Sequence, residues 1–136
     1  MAQHPSAQID RFVHDRLPPP DQWPELRYDL PELQALPEQL NVVQALFDRA
    51  FAAGHADRPL FRSDERTLSY AQARAEVNRF AHVLTGMGLQ PGNRVLLRGG
   101  NSIAMALAWL AVVQSGLIAV ATMPLLRATE LKAIID

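Results

Sequence analysis

The stretch that decides the fold runs from Arg94 to Asp136: RVLLR (94–98), GGNS (99–102), IAMALAWLAVVQ (103–114), SG (115–116), LIAVATMP (117–124) and LLRATELKAIID (125–136). Arg94–Arg98 is short and rich in leucine and valine, the pattern of a strand buried on both faces. Asn101 or Ser102 caps a helix by accepting a bond from an orphan backbone N–H. From Ile103 to Val113 the only polar side-chain atom is the indole N–H of Trp109. Ser115-Gly116 stops the helix, since glycine takes the left-handed conformation at little cost. Leu117 to Thr122 is a second strand, ended by Pro124, and a last amphipathic turn begins at Arg127 or Thr129. Strand, helix and strand with short connections make a βαβ unit with parallel strands and a right-handed crossover.

A second reading competes with it. No charged residue lies between Arg98 and Arg127, and about 20 apolar residues span a bilayer. Against insertion, Gln114-Ser115-Gly116 interrupts the run, and arginine flanks both ends, so no orientation bias exists. Periodicity does not separate a buried helix and strand from a membrane-associated hairpin. Both stay open at this point.

With 136 residues, the chain is about one domain and would bury on the order of 70% of its unfolded surface if compact. Thirteen basic residues against fourteen acidic ones point to no nucleic acid or acidic membrane as partner. Cysteine is absent, which removes disulfide and thiolate chemistry and is compatible with the cytoplasm. The start, MAQHPSAQIDRF, has no basic segment followed by an apolar run, so no secretory signal is read.

Residues 1–40 form a proline-rich arm, and residues 41–136 a partial α/β unit. Ile9 to Leu17 is expected to form a short helix, ended by Pro18-Pro19-Pro20. Trp23, Leu26, Tyr28, Leu30, Leu33 and Leu36 follow without a period, as expected of an extended arm laying apolar side chains on the outside of a domain; a disordered tail is the alternative. Asn41 caps a helix reaching Ala53, with Val42, Val43, Leu46, Phe47, Ala50 and Phe51 as its stripe and Gly54 as its stop. Pro59–Arg62 and Arg66–Ser69 flank the turn Ser63-Asp64-Glu65 as a small hairpin. Ser69 and Gln72 form a capping box opening a helix whose face is Ala73, Val77, Phe80, Ala81 and Leu84, packed against the strand at Arg94 and ended by Gly86 and Gly88.

The chemistry is sparse. His4, His14, His55 and His82 lie on four segments, and no spacing resembles a metal site. Asp64 and Glu65 read as a solvated turn, and Glu76 with Arg79 as a helix-surface pair. Gly99-Gly100-Asn101-Ser102 follows a strand and opens a helix, so it is either an anion site on backbone N–H groups or a plain turn with a cap. It lacks the lysine of a P-loop and the third glycine of a dinucleotide fingerprint. No residue is assigned a catalytic or metal-binding role.

The succession RTLSYAQARAEVNRFAHVLTGMGLQPGNRVLL, GNSIAMALAWLAVVQSGLIAV and MPLLRATEL resembles the amino-terminal portion of the adenylate-forming acyl- and aryl-CoA ligases. Leu68-Ser69-Tyr70-Ala71-Gln72-Ala73 stands where the family has a Leu-Ser/Thr-Tyr-x-Glu-Leu-like segment. Gly116 to Pro124 stands for its Gly-Ala-x-x-x-Pro-Leu-like segment, with the proline late. That late proline, the run Val120–Arg127 and the arm Leu17–Pro24 look most like the benzoate and 2-aminobenzoate CoA ligase branch.

The resemblance implies a ligase that joins an aromatic carboxylic acid to CoA with ATP and Mg²⁺ through an acyl-adenylate, with its catalytic motifs downstream of this chain. It also implies a buried crossover helix rather than a membrane span. Some relatives place a basic residue just after the proline, near the CoA phosphates; here Leu125 holds that position and Arg127 follows, as either a phosphate-pairing cation or a helix-flanking surface arginine. The chain ends within an amphipathic turn carrying Leu131, Ile134 and Ile135, and its two apolar strands call for further neighbours. The expectation is therefore an N-terminal fragment, inactive by itself, with no cofactor bound and an apolar edge that favours self-association. The alternative is a self-contained, non-catalytic α/β module that binds a nucleotide or other anion at Gly99–Ser102.

Overall fold

The computed structural model describes residues 6–136; His4 and the rest of residues 1–5 lie outside the described residues. After 3₁₀ turns at His14–Arg16 and Pro20–Gln22, the elements are α1 (Pro31–Gln34), α2 (Val42–Ala52), β1 (Pro59–Arg62), β2 (Thr67–Ser69), α3 (Tyr70–Gly86), β3 (Arg94–Arg98), α4 (Ile103–Gln114), β4 (Ile118–Thr122) and α5 (Ala128–Ile135).

β1 and β2 pair antiparallel. β3 and β4 pair parallel, in register from Arg94 opposite Ile118 to Arg98 opposite Thr122. The crossover between them is α4, which packs on both strands with one side and on α2 and α3 with the other. A helix enclosed in this way has little solvent face to make polar, which is why the charge-free run reads apolar all round. Leu107 and Ala111 are fully buried, and only Trp109 among the large side chains of α4 is substantially exposed. Twelve residues of helix reach roughly 18 Å at 1.5 Å per residue, short of the roughly 30 Å hydrocarbon core. No helix among the described residues is long and apolar enough to cross a membrane, so the membrane-hairpin alternative falls to the buried crossover.

Local signals place the helix ends. Ser102, not Asn101, caps α4: its Oγ accepts from the Met105 N–H at 3.2 Å. Ser69 and Gln72 form the reciprocal capping box that opens α3. Asn41 Oδ1 accepts from the Gln44 N–H at 3.2 Å to start α2. The core is built from Val43, Phe47, Leu68, Ala73, Val77, Ala81, Ile103, Leu107, Leu110 and Ala111. Burying each of its larger members contributes about 1.5–3 kcal/mol before entropy is subtracted.

Four expectations are corrected. First, α3 packs on α4 and the β1–β2 hairpin rather than on β3. Its small residues Ala73 and Ala81, with Val77, let α4 approach closely, and this leaves Phe80 41% exposed at the edge of the contact. Second, β3 and β4 are not buried on both faces: Leu96 is 37% exposed, because α4 covers one face only.

Third, Ile9–Leu17 forms no α-helix. Only the 3₁₀ turn at His14–Arg16 is present, since Ile9 and Asp10 are held by the main chain of Pro91. Fourth, the arm does not lay its apolar side chains on the body: Trp23, Leu26, Tyr28, Leu30, Leu33 and Leu36 are all exposed. The Trp23 indole donates locally, to the Pro18 carbonyl at 2.7 Å.

Candidate functional site

In open α/β sheets, ligands bind outside the carboxyl ends of the strands. Here that end is formed by Arg98, Thr122 and the loop 123–127. Arg98 is the last residue of β3 and pairs in register with Thr122. Its Nη2 turns across to the loop and donates to the carbonyls of Pro124 at 2.6 Å and Leu126 at 2.9 Å. The loop therefore closes on one guanidinium nitrogen, which carries a permanent charge and donates to both neighbouring acceptors.

Arg127 follows at once. Its N–H donates to Glu130 Oε2 at 2.7 Å and so opens α5. The guanidinium itself is exposed and, among the described residues, has no partner. Leu125, in the position after the proline, is 88% exposed. The sequence singles out Arg127 but passes over Arg98, which reads there as a charge flanking an apolar strand. Its one visible signal is its place at a strand end, beside a loop whose carbonyls no sheet neighbour satisfies.

At the turn Gly99–Ser102 the structure shows the helix cap. Ser102 Oγ is engaged by Met105, and the groove of about 400 Å³ at this helix start is lined by Asn101, Ser102, Ile103 and Ala104 together with Ser63, Asp64, Glu65 and Arg66 of the β1–β2 turn. Asp64 and Glu65 share this groove with Arg66 and the positive end of α4, so it is not a purely cationic site.

Among the described residues no group of three His, Asp or Glu side chains could hold a metal ion. His14 lies against Arg11 and Asp15, while His55 and His82 stand on other segments. The described residues thus offer no ready ligand set for Mg²⁺.

At the opposite, amino end of β3 lies a cluster that the sequence does not reveal. Asp10 accepts from the Phe12 N–H at 2.9 Å, from Asn93 Nδ2 at 2.8 Å and from the Arg94 guanidinium. These bonds, the Phe12 N–H foremost, then Asn93 and Arg94, hold its carboxyl below the usual aspartate value against the opposing effect of partial burial. The Phe12 ring is sandwiched between the guanidinium groups of Arg16 at 3.6 Å and Arg94 at 4.1 Å. With Ile9 and Asp10 both donating to the Pro91 carbonyl, this cluster ties the N-terminal segment to the body.

The profile of the family described as AMP-binding enzyme matches residues 48–136. The salicyl-AMP ligase / salicyl-S-ArCP synthetase of Mycobacterium tuberculosis is 39% identical over 84 residues, covering 62% of this chain and 14% of that protein. A mitochondrial medium-chain acyl-CoA ligase of Rattus norvegicus is 40% identical over 68 residues, covering 50% of this chain and 11% of that protein. The anthranilate CoA ligase AuaEII, solved in complex with anthranoyl-AMP, superposes with a TM-score of 0.69 at 25% identity, over 75% of this chain and 19% of that one. The chain therefore spans less than a fifth of the length of each of these proteins.

Proposed function

The chain belongs to the AMP-binding enzyme family, and we propose that it supplies the N-terminal part of an ATP-dependent aromatic acid–CoA ligase. In that reaction a carboxylate attacks the α-phosphorus of ATP, giving an acyl-adenylate and releasing pyrophosphate. The CoA thiol then attacks the acyl carbon, its proton is lost, and AMP leaves as the thioester forms. The observation that carries the reading is the superposition of 75% of the chain on an anthranilate CoA ligase, together with likeness to a salicyl-AMP ligase. Both of those proteins are named for aromatic acids.

On this reading residues 1–40 are an arm and residues 41–136 a scaffold. Their own contribution is to build one side of a sheet and to present the loop 123–127 at its carboxyl end. Arg127, exposed and unpaired, pairs with a phosphate of CoA; ATP, Mg²⁺ and the acid are held by other parts of the ligase. We place the protein in the cytoplasm, where its substrates and its cysteine-free composition are at home. By itself the chain catalyses nothing, and the exposed face around Leu96 favours self-association.

The test is pyrophosphate release by the ligase carrying this chain, measured with benzoate, 2-aminobenzoate, salicylate, octanoate and acetate. Higher kcat/KM for the aromatic acids supports the proposal. Preference for octanoate or acetate, which likeness to a medium-chain acyl-CoA ligase makes a real contender, would overturn the aromatic assignment while leaving the ligase class intact.

A further inference from the structure

We infer that Arg98 is a positioning residue for CoA binding: by holding the carbonyls of Pro124 and Leu126 it fixes the backbone from which Arg127 reaches the phosphate. The inference rests on the CoA reading of Arg127 given above. It is carried by the geometry of two exposed arginines at one loop, one engaged by its carbonyls and the other free of them. Arg98 turns across to the loop, where its Nη2 is engaged by two main-chain acceptors, 2.6 Å from Pro124 O and 2.9 Å from Leu126 O. Arg127 starts one residue after the second of those acceptors and faces solvent.

Without the clasp, little would order the loop. Of its main-chain bonds, only Leu126 N–H to the Met123 carbonyl at 3.2 Å lies within residues 123–126, and Met123 and Leu125 are 65% and 88% exposed, so packing adds little. Thr122 Oγ1 to the Leu97 carbonyl, at 3.4 Å, is a long bond and ends before the loop begins. A flexible arginine on an unpinned loop loses both its own rotamer freedom and that of the backbone on meeting a phosphate, and pinning the backbone beforehand removes the second cost. Charge-assisted donation to two carbonyls is a strong way to pin it.

The experiment is steady-state kinetics of the full ligase with R98Q, R98K, R127Q and the double variant R98Q/R127Q. ATP–pyrophosphate exchange, a half-reaction that involves no CoA, is the internal reference. R98Q should raise KM for CoA about tenfold, as expected for a misplaced binding group, with exchange within about twofold of the parent. R98K, which keeps the charge without the fork, should give a smaller rise. The double variant should be no worse than R127Q alone, because both substitutions act through one contact.

If R127Q raises KM for CoA and R98Q does not, the positioning role is overturned and the CoA reading stands. A fall in exchange in R98Q as large as its loss in CoA affinity marks general damage and also overturns the positioning role. Additive rises in the double variant would show that Arg98 acts independently, against the inference. An unchanged KM in R127Q overturns the CoA reading, and this inference with it.

Discussion

The side-chain amide of Asn41 donates to the main-chain carbonyl of Gln114 at 2.8 Å, joining the start of α2 to the end of α4 across 73 residues. The same side chain caps α2 through its oxygen, and Gln114 in turn donates to Asn78 Oδ1 on α3 at 2.7 Å. Three helices are thus fastened through three amide side chains, Asn41, Gln114 and Asn78, at one partly buried corner. A carbonyl at a helix C-terminus needs a donor from outside the helix, and the Asn41 amide N–H provides it.

Asn41→Ala removes both the cap and the cross-link, and unfolding free energy should fall by about 1–3 kcal/mol. Asn41→Ser keeps a capping oxygen and loses only the cross-link, so it should fall less. Urea denaturation followed by circular dichroism measures both. Equal losses in the two variants would mean that the capping bond to Gln44 contributes nothing, and no loss in Asn41→Ser would mean the same of the bond to Gln114.

Asp10 governs how the N-terminal segment responds to acid. Its folded pKa is depressed, so its contribution to docking is fully present above the ordinary aspartate value of about 3.9 and is lost as pH falls through the lower folded value. Amide shifts of Phe12 and Asn93 should therefore titrate together below about pH 4 and report release of residues 8–16. Gly92 supports the same contact: its φ is +94°, and an added Cβ would collide with the Asp10 carbonyl. Gly92→Ala should release the segment at neutral pH and leave the shifts of α4 in place.

Leu107 is fully buried where α4 meets α3, and Val77 opposite it is equally enclosed. Leu107→Ala should cost about 2–5 kcal/mol through lost burial and the cavity left behind. Val83→Ala, at a position 60% exposed on α3, should change stability by less than about 0.5 kcal/mol. Comparable losses at the two positions would contradict the assignment of α4 as the centre of the core.

The βαβ unit is legible in the sequence because a charge-free run broken by Ser115-Gly116 and Pro124 has few other ways to satisfy its backbone. The hairpin and the α3 capping box are legible for a similar reason, since their signals lie within three or four residues. What escapes reading is long-range. Asp10 meets Asn93 across 83 residues and Arg98 meets Pro124 across 26, and neither contact leaves a periodic trace.

Phe80 shows a different limit. Its helical spacing puts it on the same face as Val77 and Ala81, yet the small residues rather than the aromatic ring form the contact, because close approach of α4 selects for alanine. The arm misleads through composition: its tryptophan, tyrosine and leucines are core types, but all eight of them are exposed.

The account rests on the chain being scaffold rather than machinery, and ATP titration into the 136-residue chain, followed by calorimetry, tests that most directly. With Asp64 and Glu65 beside the α4 start and no metal-holding cluster among the described residues, no saturable heat is expected up to about millimolar ATP, the upper end of ordinary enzyme KM values. Saturable binding at micromolar ATP, abolished by substitution within Gly99–Ser102, would contradict the account and make the chain a nucleotide-binding module in its own right.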